Sequence, residues 1–164
     1  MHAEFDAHFA TDLRLRPATA ADAPCVETLY ASTRDDLRAV ASDAAIIDLL
    51  ISMQHRAQMA GYRSTYPDAE YLMIEWQGEA IGRVVIDSAD ATLRIVDISV
   101  LPAARRQGHA GAVLRRLQER AAKAGQDLCL SVLHDNPGAW RLYLALGFAV
   151  EGQDDVRAQL RWRA

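Results

Sequence analysis

Residues 70–117 read EYLMIEWQGEAIGRVVIDSADATLRIVDISVLPAARRQGHAGAVLRRL, and this run decides the architecture. Three apolar-rich segments stand in a row: EYLMIEW from Glu70, AIGRVVID from Ala80 and TLRIVDISVLP from Thr92. Only QGE and SADA separate them, and links that short imply antiparallel pairing. A three-stranded meander argues against a doubly wound dinucleotide fold, which needs a helix between successive strands. The third segment ends at Pro102. It runs into Arg105 and Arg106, a small-residue cluster (Gly108, Ala110, Gly111), and then Val113, Leu114, Leu117 and Ala121 at helical spacing as far as Gly125.

Upstream, LRLRP alternates apolar and polar residues and reads as a short strand ending at Pro17. Thr19 can cap a helix, with Asp22 at the third position after it and Val26, Leu29 and Tyr30 on one face. Ser42 can cap a second helix running to about Gly61, with Ile46, Ile47, Leu50 and Ala57 toward the core. Downstream, DLCLSVL is a buried strand. NPGAWRLYLALGF is a helix capped by Asn136 and ended by Gly147, and Phe148 begins another strand. VRAQLRW places Val156, Ala158, Leu160 and Trp162 on one face and Arg157, Gln159 and Arg161 on the other. The expected fold is α/β, a mixed α+β sheet of about seven largely antiparallel strands with four helices on both faces. It forms one domain over residues 13–164, preceded by an extension over residues 1–12.

The chain has 164 residues, 51% hydrophobic and 24% charged, which reads as one soluble globular domain. The net charge of −4 argues against a dominant nucleic-acid surface. Cys25 and Cys129 lie among apolar residues outside any CxxC pair and read as buried thiols in a reducing compartment. The first residues, MHAEFDAHFATD, lack the pattern of a signal peptide, and the apolar run AAIIDLLI is short and broken by Asp48. A cytoplasmic protein without membrane contact is expected.

A strand that runs into a small-residue helix start makes an anion site. The first helical N–H groups have no partner in the helix, and the dipole favours negative charge there. Arg105 and Arg106 add forked donors suited to phosphate. The loop has no G-K-[ST] and does not complete G-x-G-x-x-G, so neither a Walker loop nor a dinucleotide fingerprint is present. Taken alone, the stretch reads equally as a tight turn with a solvated arginine pair.

Two regions together are more specific. SVLPAARRQGHAGAVLRRL and LCLSVLHDNPGAWRLYLALGF resemble the two signature regions of the GNAT superfamily, the Gcn5-related N-acetyltransferases. The first matches that family's R/Q-x-x-G-x-G/A loop at Arg105, Gly108 and Ala110. The second matches its N-x-x-A-x-x-x-Y-x-x-x-G-F helix at Asn136, Ala139, Tyr143, Gly147 and Phe148. The resemblance covers about residues 13–164. It implies that the loop holds the pyrophosphate of acetyl-CoA through backbone N–H groups of Gln107, Gly108, His109, Ala110 and Gly111, with Arg105 and Arg106 assisting. Ala110 stands where glycine is common, and His109 where an aliphatic residue is common. The His109 side chain reads as packed or solvent-facing rather than catalytic.

Transfer of an acetyl group from a thioester to an amine needs a neutral amine, a donor to the oxyanion and a proton for the leaving thiolate. The resemblance implies that RIVDISVLP splays from its neighbour, with backbone contacts from Ile98 and Val100 to the pantetheine arm and the Val100 N–H as oxyanion donor. It implies Tyr143 as general acid, since a phenol with an ordinary pKa of about 10 carries a proton at neutral pH. Tyr143 also reads as a core aromatic. Asn136 serves as helix cap and as a hydrogen-bond partner for CoA. Asp97 sits in an apolar strand and reads either as the base or as an ion pair with Arg94 or Arg83. His134, after the fifth strand, is a second base candidate or incidental, and the family often needs no dedicated base.

Gln54, Gln58 and Tyr62 recur every four residues on one helix face, which reads a substrate or is simply solvated. The arginines of VRAQLRWRA attract an acidic group or are a polar strand face. The expected activity is acetyl-CoA-dependent N-acetyltransfer to a primary amine of a small molecule, peptide or protein, with no metal. The alternatives are an acyl-CoA sensor without turnover and a toxin acting on aminoacyl-tRNA, the latter disfavoured by the acidic net charge. The resemblance leaves room for a homodimer.

Overall fold

A computed structural model describes residues 12–40, 42–89 and 91–164 of the chain, so the expected extension lies outside the described residues save for Asp12. The strands are β1 Leu13–Pro17, β2 Glu70–Trp76, β3 Glu79–Ala89, β4 Thr92–Val100, β5 Asp127–Leu133, β6 Ala149–Gln153 and β7 Arg157–Trp162. The helices are α1 Ala23–Ala31, α2 Asp35–Val40, α3 Ala44–Thr65, α4 His109–Ala124 and α5 Pro137–Ala145. One seven-stranded sheet runs β1-β2-β3-β4-β5-β7-β6. Only β4 and β5 pair in parallel among the described strands.

Five helices replace the expected four. The addition, α2, has six residues, too few for a helical period to show in the pattern. It carries Asp35 and Asp36 in its first turn and Arg38 in its last, charges that suit the helix dipole. The second expected helix, α3, is capped by Asp43 rather than Ser42: the Asp43 carboxylate accepts the Ala45 and Ile46 N–H groups at 3.0 and 3.4 Å. It continues past Gly61 to Thr65. Ile47 and Ile51 are its buried residues, while Ile46, Leu50 and Ala57 are exposed. A narrow buried stripe at i, i+4 leaves neighbours about 100° round the helix in solvent. Val156 is likewise exposed, because β7 begins one residue after it.

The main core lies between the sheet and α4 and α5. Val113, Leu114, Leu117 and Ala121 pack with Val84, Ile86, Leu93 and Ile95. Helices α1 and α3 cover the opposite face: Cys25 Sγ reaches the Ala80 carbonyl, and Met59 Sδ meets Arg83 Nη1. Cys129 is a buried free thiol in β5 and Cys25 a half-buried one, both raised in pKa by burial. No helix among the described residues is long and apolar enough to cross a membrane.

Two features open the sheet at its centre. Pairing between β4 and β5 covers only Thr92–Ile95 against Asp127–Leu130, while β5 continues along β7 as far as Leu133. Between β3 and β4, Val85 pairs with Asp97 and Ile86 with Ile95, so Val96 is a bulged extra residue. A bulge bends and twists its strand, and the wedge begins where this one sits.

Candidate active site

One wall of the wedge is an unpaired stretch of β4 backbone. The Leu101 N–H donates to the Ile81 carbonyl at 2.8 Å. An antiparallel ladder alternates bonded and non-bonded pairs. Ile98, opposite Val84, and Val100, opposite Gly82, therefore turn their N–H and C=O groups away from β3, into the wedge. Gly82 permits that close approach: a Cβ there would lie 2.4 Å from the Ser99 carbonyl oxygen.

The loop after β4 curls tightly. A 3-10 turn over Pro102–Ala104 is followed by Arg106 at φ 60° and Gly108 at φ 85°, and α4 starts at His109. Left-handed residues two apart turn the N–H groups between them toward a common concavity, and the helix start adds its unbonded donors and positive dipole end. Gln107 Nε2 ties the loop to the Ala103 carbonyl at 2.8 Å. Arg105 is a brace: its Nε donates to the Val100 carbonyl at 2.8 Å and its Nη2 to Ser32 Oγ at 2.9 Å. Arg106 is exposed. The His109 side chain is packed, 2% exposed, with its ring tilted against Trp76 at 4.9 Å, and burial lowers its pKa. Gly111 is buried beneath Leu142 of α5.

A cleft of about 510 Å3 brings together six of the residues singled out in the sequence: Ile98, Val100, Arg105, Ala110, Asn136 and Tyr143. A smaller hollow of about 300 Å3 opens through the wedge and adds Gln58, Tyr62 and Asp97. Ile98, Asn136 and Tyr143 line both, so Tyr143 stands at the junction. Burial, with the Asp97 charge as a smaller cause, pushes its phenol up to about 12. Burial also raises the Tyr62 phenol, and Gln58 Oε1 is buried without a hydrogen-bond partner. Asn136 caps α5, its Oδ1 accepting the Ala139 N–H at 3.1 Å.

Of the two partners expected for Asp97, the structure selects Arg83, with Nη2 to Oδ2 at 2.7 Å. Gln54 is a correction. It is exposed, accepts from Arg34 and lies off the wedge, because it sits two helical turns, about 12 Å, from Tyr62. For His134 the placement fits the incidental alternative: its Nε2 contacts the Asp154 carbonyl at 2.7 Å and its ring stacks on Trp140, outside both hollows. The sequence reading missed Ser32 and Thr33, brought to the cleft by the end of α1. A polar pair after a helix carries no signal of a cleft residue. Arg157 enters the wedge from β7, whereas Arg161 pairs with Glu151 and Asp127.

The model of the acetyltransferase (GNAT) family matches residues 27–148, most of the chain. The chain belongs to the GNAT acetyltransferase family. The GNAT fold recurs in solved structures of low sequence identity. The PaiA N-acetyltransferase from Thermoplasma acidophilum, in complex with coenzyme A, is 14% identical with a TM-score of 0.70, over 93% of this chain and 99% of that one. A ribosomal L7/L12 alpha-N-protein acetyltransferase, RimL, is 15% identical with a TM-score of 0.69, over 95% and 92%. A chimeric spermidine N-acetyltransferase from Vibrio cholerae is 17% identical with a TM-score of 0.66, over 93% and 95%. No curated protein matches the chain.

Proposed function

We propose that this GNAT protein transfers the acetyl group of acetyl-CoA to a primary amine of a small molecule, peptide or protein. The observation that carries the reading is the junction at Tyr143. There the cleft lined by Arg105 and Ala110 of the loop and by the β4 edge at Ile98 and Val100 adjoins the polar hollow on the far side of the wedge. The residues suit acetyl-CoA. The curled backbone from Gln107 to Gly111 holds the pyrophosphate, with Arg106 free to approach it and Arg105 bracing the loop against β4. The N–H and C=O groups of Ile98 take the amide-bearing arm, Asn136 borders it, and Val100, whose carbonyl is held by Arg105, keeps its N–H for the acyl group. Bound acetyl-CoA supplies an acyl group activated as a thioester.

The Val100 N–H is the donor to the acyl oxygen. The Tyr143 phenol, kept protonated by burial, donates to the departing sulfur and is reprotonated, directly or through water, by the proton the nitrogen sheds as the amide forms. The acceptor enters from the wedge side, between Gln58, Tyr62 and Asp97. Asp97 bonds Arg83 through Oδ2, and its other oxygen attracts the ammonium form of the amine and takes its proton, directly or through water. Amine acceptors are also what the names of the similar structures print: spermidine and a protein α-amine. A cytoplasmic location and a homodimer fit this reading.

The test is calorimetric titration with acetyl-CoA, beside a Gly108→Glu variant. Micromolar binding by wild type and none by the variant supports the loop assignment, and thiol release across an amine panel then reads turnover. Binding without turnover on any amine would indicate a sensor. No binding by wild type would remove the acetyltransfer reading.

A further inference from the structure

On the α1 and α3 side of the sheet, behind the Arg83–Asp97 pair, lies a cavity of about 440 Å3 that acetyl transfer does not use. Three buried polar atoms belong to side chains that line it and have no hydrogen-bond partner in the protein: Arg83 Nε, His55 Nε2 and Tyr71 Oη. Arg83 is 4% exposed. Its Nη2 donates to Asp97 and its Nη1 to Met59 Sδ, while its Nε–H has no partner in the protein. A guanidinium only donates, and a phenol and a neutral imidazole can donate beside it. Burial and the neighbouring Arg83 charge lower the His55 pKa and keep that ring neutral.

Buried donors of this kind call for an oxygen acceptor. Arg63 adds a second cation to the lining and Glu27 one opposing carboxylate. The remaining wall is largely apolar, from Ala20, Ala23, Val26 and Met59. We infer that this cavity binds a small organic carboxylate with an apolar body, its oxygens drawn to the Arg83, Tyr71 and His55 side chains of the lining. Arg83 is shared between this site and Asp97, so an occupant bears on the carboxylate that faces the wedge. The inference does not rest on acetyl transfer, and its test reads binding without acetyl-CoA.

Three probes with one body and different heads decide it: phenylacetate, phenylacetamide and phenethylamine, titrated calorimetrically into the full chain. Isovalerate serves as an aliphatic counterpart. At least one carboxylate should bind saturably at one per chain, and phenylacetamide at least about ten-fold more weakly than phenylacetate. Amide shifts should gather at Ala20, Ala23 and Val26 and spare Gly108 to Gly111. Phenethylamine should leave those three amides unmoved. Tyr71→Phe, which removes one oxygen, should weaken carboxylate binding about five-fold or more while the melting temperature and acetyl-CoA affinity hold. Failure of both carboxylates at millimolar concentration, equal binding of the amide, preference for the amine at this site, or indifference to Tyr71→Phe would each overturn the inference.

Discussion

Gly82 shows how a single missing side chain sets the cleft. Its hydrogen occupies space that any Cβ would contest with the Ser99 carbonyl, and Ile74 Cδ1 stands 3.1 Å away on another side. Gly82→Ala must therefore push β4 away from β3. Urea unfolding should show a loss of about 1–3 kcal/mol, the usual range for overpacking. Acetyl-CoA affinity should fall with it, because the displaced strand carries Ile98 and Val100. Unchanged stability and affinity would mean that β4 accommodates the methyl without moving its edge. Tyr143 carries the second prediction at this scale. Tyr143→Phe keeps the ring that packs on Phe148 at 5.8 Å and removes only the proton donor. Turnover should drop by about 100-fold or more while acetyl-CoA binding holds. Since burial lifts the phenol to about 12, wild-type turnover should not decline between about pH 8 and 10, where an unperturbed tyrosine begins to ionise. A decline there that Tyr143→Phe abolishes would place the phenol in solvent.

At the scale of elements, the corner joining β1 to α1 is held by charge. Arg16 grips Asp22 with both ends of its fork, at 2.7 and 2.8 Å, and its Nε reaches Glu75 of β2. Asp22 also accepts the Thr19 N–H at 2.7 Å, so the two residues bracket a 3-10 turn, Ala20–Asp22, that leads into α1. Arg16 first, and then the Thr19 N–H, hold the Asp22 carboxyl well below the usual carboxylate range. A depressed folded pKa stabilises above the unfolded value of about 3.9 and loses that contribution as pH falls through the folded value. Asp22→Asn should therefore lower the unfolding midpoint at neutral pH, and the gap to wild type should narrow steadily below about pH 4. A gap of constant size would assign the effect to packing. This corner was legible because Thr19 and Asp22 are three apart in sequence. The α3 face was not: apolar residues fall at Ile46, Ile47, Leu49, Leu50, Ile51 and Met53, and only packing against elements distant in sequence selects Ile47 and Ile51.

Across the whole molecule, legibility follows sequence distance. The meander, the loop at Arg105–Gly111 and the Asn136–Tyr143 helix are local patterns, and each forms where it was expected. What the sequence hid depends on elements far apart in the chain. Arg83 chooses Asp97 over a solvated life because α3 covers it, and Ser32 meets Arg105 across 73 positions. The wedge itself arises from a register shift that no periodicity announces. Because the cleft borrows from α1, β4, α4 and α5, a ligand in it should stabilise all of them together. At about 100 times Kd, a ligand that binds only the folded state adds about 2.7 kcal/mol. For a domain of this size each kcal/mol moves Tm by about 2–4 °C, so acetyl-CoA should raise Tm by about 5–10 °C. Gly108→Glu, which sets a carboxylate at φ 85° in the curl after β4, should show no such rise. Parallel melts of the two proteins read this directly, and an equal rise in both would place acetyl-CoA elsewhere than the loop.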